Sequence, residues 1–176
     1  MEKVVGADGL NLLINNAGLI PPNSRELDLV TPEAMVLAFE TNCVGPLFFT
    51  KAMLPLLKTA AAAESSDSCL SVARAAAIQM STAVASIAEN GGGKNYAYRC
   101  SKSALNMAMK NLSLDLAGSG VLTMAMHPGW VKTDMGGPNA MISVEDCCSS
   151  MLETLDGLAD KDHGAFLRYN NTPIQW

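Results

Sequence analysis

The sequence predicts an α/β protein in which a parallel sheet is covered by helices, and three observations lead there. Short apolar runs of strand length alternate with longer stretches at helical spacing, the order that a parallel sheet with crossover helices requires. Three of those runs end in Asn-Asn, Ser-Thr or Pro-Gly, and open α/β sheets bind ligands at strand C-terminal ends. A chain of 176 residues with no internal repeat or linker forms one domain and buries roughly 70% of its unfolded surface.

Each element has its own reason. Residues 10–14 are an apolar run bounded by Gly9 and Asn15, as a buried parallel strand should be. Thr31, Pro32 and Glu33 suit the cap, the first position and the dipole of a helix. Helical spacing continues to about Lys58, with a kink or break expected where Gly45-Pro46 and Pro55 interrupt it. Residues 60–74, rich in Ala, Ser and Asp, read as a surface loop. A second strand is expected over 75–81, and Gly91-Gly92-Gly93 as a mobile connection. In the long helix over 96–116, Ala104, Leu105, Ala108, Leu112 and Leu116 fall at helical spacing. A third strand over 121–127 ends at Pro128-Gly129, a helix over 143–155 is capped by Ser143, and a short strand covers 164–169.

Composition removes several function classes. A net charge of −5 with no cluster of Lys and Arg argues against nucleic acid. No apolar stretch reaches the ~20 residues of a membrane span, and the N-terminus shows no secretory pattern, so a cytoplasmic location is expected. Cysteines 43, 69, 100, 147 and 148 are odd in number and lack CxxC spacing. They read as reduced thiols, with the side chains of Cys147 and Cys148 diverging, and no metal site is expected.

The chemistry gathers around Tyr98 and Lys102, four residues apart and therefore one turn apart on one helix face. A lysine cation and a helix N-terminus both favour phenolate, which makes Tyr98 a workable acid or base. Tyr and Lys meet at this spacing often by chance, so the surroundings decide. Asn15-Asn16-Ala17-Gly18, Ser81-Thr82 and the segment 128–133 all end strands at the same rim, and Asn42 is a poor helix former placed mid-helix, where it needs a backbone or water contact. Tyr96 is expected to pack or line the pocket, and His127 to end a strand rather than act as a base. His163 reads as a solvent-side turn residue. The methionines read as core filler, with Met124, Met126 and Met135 adjoining the pocket. Residues 134–138 read as a mobile substrate loop.

These strings resemble the short-chain dehydrogenases/reductases. Residues 15–18 match the family's NNAG motif, Tyr98 and Lys102 its YxxxK pair, and 127–133 its PG-x-V-x-T segment. The fuller strings 96–106 and 127–135 and the tail 164–176 are similar to carbonyl reductases related to the C-factor proteins. The resemblance implies a Rossmann-like parallel sheet with helices on both faces, of which residues 1–176 are one partial domain holding strands 4 to 7. It implies reduction of a carbonyl, or oxidation of an alcohol, by hydride transfer with NADP or NAD.

Carried over by position, Tyr98 exchanges the proton with the substrate oxygen. Lys102 lowers the Tyr98 pKa and bonds the nicotinamide ribose, and Asn42 holds the water that connects Lys102 to solvent. The catalytic hydroxyl falls on Thr82, with Ser81 before it as the alternative. Asn16, Ala17 and Gly18 lie against the adenine-ribose side of the cofactor, and Pro128, Gly129, Val131 and Thr133 border the nicotinamide. The family also implies a homodimer through the two long helices. Val36, Leu37, Phe39, Leu47, Phe48 and Met53 cover more of the first helix than one sheet face needs.

One family signature does not occur. The glycine-rich strand–turn–helix that cradles a pyrophosphate has no counterpart before residue 15. By the family's order 3-2-1-4-5-6-7, residues 10–14 would otherwise pair with a first strand. The isolated 176-residue chain is therefore expected to be marginal in stability, aggregation-prone and inactive with either nicotinamide unless a partner covers that edge. Two further readings stand beside the enzyme: a catalytically inactive binding or signalling module, and a purely structural α/β domain.

Overall fold

The computed structural model describes residues 2–64 and 69–176. A short helix α1 (Glu2–Val5) and a single 3-10 turn lead into β1 (Leu12–Asn15). Then follow α2 (Pro32–Phe39), a π-helical turn (Glu40–Val44), α3 (Gly45–Ala63), β2 (Ala76–Met80) and α4 (Tyr96–Asp115). The chain closes with β3 (Leu122–His127), α5 (Val144–Asp156) and β4 (Phe166–Arg168). The strands form one sheet in the order β1-β2-β3-β4, and every pairing is parallel.

Alternation along the strands feeds two cores. Leu13 and Ala77, with Ala75 and Val121 beside the strands, turn to one face, where Leu57, Ala60 and Ala61 of α3 and Leu116 after α4 meet them. Met109 of α4 covers Ala125 and Phe166 on that face. Ala76, Ile78, Met80, Leu122, Met124 and Met126 turn the other way and pack under Leu155 of α5 and Leu158 beyond it. Helices thus cover both faces, as the resemblance implied. On the α5 side the cover stops short of β1, and Ile14 is left 39% exposed.

The caps are where the sequence placed them. Thr31 Oγ1 accepts from the Ala34 N–H at 3.2 Å, and Ser143 Oγ accepts from the Asp146 N–H at 3.0 Å. Several expectations differ. β1 starts two residues late because the Leu10 N–H bonds to the Leu56 carbonyl of α3 at 3.0 Å, outside the ladder. Gly45-Pro46 does not break the helix. The preceding turn widens instead, and the Gly45 N–H reaches back to Glu40 O, a π-bulge. Pro55 also sits inside a continuing helix; it and Lys51 both face solvent, so the carbonyl that loses its N–H partner can meet water. The expected loop over 60–74 begins too early. Alanine favours helix, and Ala60 and Ala61 are buried against the sheet, which carries α3 to Ala63. Residues 65–68 of that loop lie outside the described residues.

His163 is not a solvent-side turn residue. Its Nδ1 accepts from the Thr123 N–H at 3.2 Å and its Nε2 lies 2.7 Å from Ser113 O. Those partners fix the tautomer with hydrogen on Nε2, and the ring staples β3 to the end of α4. Met124 and Met126 are fully buried core residues and do not reach the pocket. Among the described residues all five cysteines are free, with Cys43 and Cys147 buried and Cys148 exposed. No group of residues there could hold a metal ion, and no helix is long and apolar enough to cross a membrane.

Candidate active site

Parallel pairing brings three strand ends to one rim, with Asn15 opposite Gln79, Met80 opposite Met126, and His127 opposite Arg168. A cleft of about 900 Å³ opens there. Its walls include Asn16, Ala17 and Gly18 after β1, Ser81 and Thr82 after β2, Pro128, Gly129, Val131 and Thr133 after β3, and Tyr98 and Lys102 from α4. Every site residue named from the sequence except Asn42 lines this cleft.

Tyr98 and Lys102 lie on the first two turns of α4. Burial pushes the Tyr98 phenol above its ordinary range, and a hydrogen bond from Thr82 only partly opposes this. The Lys102 ammonium donates to Met80 O at 2.8 Å, and burial brings its pKa down to about 8. The expected lowering of Tyr98 by Lys102 is therefore not what this geometry gives, because desolvation outweighs the other influences on each group. Cys43, the residue after Asn42, feels the Lys102 charge, but burial outweighs it and pushes the thiol above its ordinary range.

The two candidate hydroxyls have separate partners. Ser81 Oγ donates to Asn106 Oδ1 at 2.6 Å, whereas Thr82 is the one that faces Tyr98. This favours Thr82. His127 sits at the cleft floor with its Nδ1 buried and without a partner. Burial first, then the Arg168 cation, brings it down to about 4, so the ring is neutral at physiological pH.

Asn42 lies behind the cleft in the π-turn and is fully buried. Its Oδ1 accepts from the Leu19 N–H, and its Nδ2 donates to Leu19 O, each at 2.8 Å. The second Nδ2 hydrogen goes to Ser101 Oγ at 2.9 Å, and Ser101 Oγ donates to Tyr98 O at 2.9 Å. Both side-chain N–H groups are thus committed to protein, and Asn42 ties the segment after β1 to the first turn of α4. Below it, Thr50 Oγ1 accepts from Asn15 and Gln79 at 2.8 and 3.0 Å and donates to Pro46 O at 2.8 Å.

Two glycines of the cleft wall stand where a side chain has no room. A Cβ on Gly18 would lie 3.2 Å from Asn42 Oδ1 and 3.3 Å from Lys102 Nζ. Gly129 has φ +86°, and a Cβ there would meet Ile142 Cδ1 at 2.5 Å. Tyr96 stays 37% exposed and lies outside the cleft walls. Sequence reasoning missed Ser101, Asn106 and Cys43, since a Ser, Asn or Cys inside a helix carries no signal of its partner. It also missed Arg25, Cys147, Cys148 and Met151, which join the walls from elements whose placement depends on the fold.

The family model for short chain dehydrogenases matches residues 1–141. The chain belongs to that family. The C-signal of Myxococcus xanthus is 40% identical over 167 residues, covering 95% of this chain and 93% of that protein. A 1-hydroxy-2-glutathionyl-2-methyl-3-butene dehydrogenase of Rhodococcus is 30% identical over 99% of this chain and 71% of its own length. Among solved structures, the carbonyl reductase Sniffer of D. melanogaster superposes with a TM-score of 0.95 at 43% identity, over 99% of this chain and 70% of that one. An NADPH-bound carbonyl reductase from chicken fatty liver gives 0.91 at 38%, over 99% and 69%. This short-chain dehydrogenase chain thus has the family's parallel α/β sheet and is similar to carbonyl reductases, one of them solved with NADPH bound.

Proposed function

We propose that the chain is an NAD(P)-dependent oxidoreductase that reduces a carbonyl or oxidises an alcohol, with Tyr98 as proton donor or acceptor. One observation carries this reading: Thr82, Tyr98 and Lys102 converge with the ends of three parallel strands on one cleft. The site fits the nicotinamide end of a cofactor, since Gly18 leaves room beside Lys102 where a side chain would intrude. Asn16, Ala17 and Gly18 would hold one side of it and Pro128, Gly129, Val131 and Thr133 the other. When bound, NADP or NAD supplies or accepts the hydride.

The chain's own residues handle the proton. A phenol held above its ordinary range stays protonated at neutral pH and can donate to a carbonyl oxygen. Thr82 gives the same oxygen a second donor and fixes its position. Lys102 presents a cation next to the ribose site. Small carbonyl or alcohol compounds are the substrates, and a homodimer through α2–α3 and α4 is the assembly we propose.

Titration of the purified chain with NADH and NADPH, followed by turnover of a carbonyl compound, tests the reading. Tyr98→Phe should lower turnover by about 10²–10⁴-fold, and Thr82→Val should be harmful while Ser81→Ala is mild. Ordinary activity in Tyr98→Phe would overturn the assignment. A second reading, a binding or signalling module without turnover, is favoured by one fact: the relative called C-signal is matched over 93% of its length. A folded chain that binds neither nicotinamide would decide for it.

A further inference from the structure

We infer that Arg25 selects carbonyl substrates that carry an anionic group, such as a carboxylate, and holds that group at the mouth of the cleft. The inference deepens the oxidoreductase reading and rests on it. Arg25 belongs to the segment between β1 and α2, and it lines both the cleft and an adjoining pocket of about 650 Å³. Gly18, Ile20, Arg25 and Met135 form the boundary that the two spaces share. A substrate seated against Tyr98 and extending outwards passes this boundary.

The guanidinium is available and its root is fixed. The Arg25 carbonyl accepts from the Asn95 N–H at 2.7 Å, and Asn95 caps the helix that carries Tyr98. Next to it, the fully buried Ser24 donates to Pro21 O at 2.6 Å. Lys102, the other cation of the cleft wall, has a partner in Met80 O at 2.8 Å, and nearby Lys94 pairs with Glu26 at 3.1 Å, Arg168 with Glu89 at 2.9 Å and Arg99 with Val84 O at 2.9 Å, while Lys132 faces solvent beside Val131 and Thr133 and lines neither space. Among the described residues, no ion pair or side-chain hydrogen bond involves the Arg25 guanidinium. Ile20 and Met135 beside it are apolar, so its five N–H donors have no protein acceptor across the opening.

A planar fork of donors matches a carboxylate or phosphate in two parallel bonds. The acidic groups near Arg25 set the side on which the anion lies. Glu26 is neutralised by Lys94, and Asp134 borders the outer pocket but not the cleft. An anion is therefore repelled from the outer pocket and held on the side that faces Tyr98.

Calorimetric binding of 4-acetylbenzoate and of its methyl ester to the full chain tests this. Wild type should bind the acid at least about tenfold more tightly than the ester, the scale of one charge-assisted pair. Added salt should shrink that preference. Arg25→Gln should remove it while leaving ester affinity and thermal stability unchanged, and Tyr98→Phe should keep it. Equal binding of acid and ester, persistence of the preference in Arg25→Gln, or no measurable binding of the acid would each overturn the inference. The two readings fail separately. Acid preference without nicotinamide-dependent turnover sinks only the oxidoreductase reading, and turnover without acid preference sinks only the role of Arg25.

Discussion

At Asn42 a single amide meets the N–H and the C=O of Leu19 and the hydroxyl of Ser101. Truncation to Ala would leave a buried backbone donor and acceptor unpaired, at about 1–3 kcal/mol for each group. Asn42→Ala should therefore lose several degrees of melting temperature and loosen the first turn of α4. Hydrogen exchange at Leu19, measured beside the melt, should rise in that variant; unchanged exchange would show that the clamp is idle. Lys102 supplies a second expectation. Its pKa falls from 10.5 to about 8 through burial, so it is charged below that value and neutral above it. If the ammonium serves the reaction, kcat/KM for carbonyl reduction falls as pH rises through about 8. Folding favours the neutral amine, so its effect on stability runs the other way: that contribution is full above 10.5 and is lost as pH falls through about 8. A loss of activity near pH 8 that tracks unfolding would contradict this account.

Among the elements, the α2–α3 unit carries the clearest unsatisfied surface. Val36, Leu37, Phe39, Phe48 and Phe49 are each at least 45% exposed. Leu47 and Met53, expected in the same group, are half-buried, and Met53 packs on the core beside Leu57. The π-turn accounts for part of the shift, because one extra residue in a turn rotates the following face by roughly a quarter of a circle or more. Exposed aromatic and aliphatic side chains on one helical layer are what a two-fold helix interface would bury. Light scattering should give the mass of a dimer, and Phe48→Glu should shift it to monomer without unfolding α3. A monomer at high micromolar concentration in the unaltered chain would remove the interface.

For the whole molecule the weak place is the sheet edge. β1 pairs only with β2 among the described residues, and Ile14 is exposed on the side that α5 does not reach. An open edge with an apolar side chain invites pairing between chains. Each 100 Å² of apolar surface left in water forgoes about 2.5 kcal/mol, against a usual total stability of about 5–15 kcal/mol. Ile14→Lys should therefore slow aggregation of the chain with little change in its melting temperature. If aggregation is unchanged while the melt stays cooperative, the edge is not the route.

What the sequence determined by itself is what local pattern and covalent order can carry. The alternation of apolar runs fixed four parallel strands and the helices between them. Thr31 and Ser143 announced their helix starts, because capping depends on residues three apart. The spacing of Tyr98 and Lys102 put them on one helix face, and the strand ends of Asn16–Gly18, Ser81-Thr82 and Pro128-Gly129 went to one rim, where they line one cleft. Tertiary structure decided whatever depends on partners far away in the chain. Local pattern could not show that Asn42 would clamp Leu19 and Ser101, separated from it by 23 and 59 residues. Nor could it show that His163 would reach Thr123 across 40 residues, or that Ser81 would turn to Asn106 and leave Thr82 to Tyr98. The alanine run at the end of α3 looked like a loop until the sheet gave Ala60 and Ala61 something to pack on. The charge states of Tyr98, Lys102 and His127 follow the same rule: the residue type sets the ordinary pKa, and burial, which only the folded chain creates, moves it.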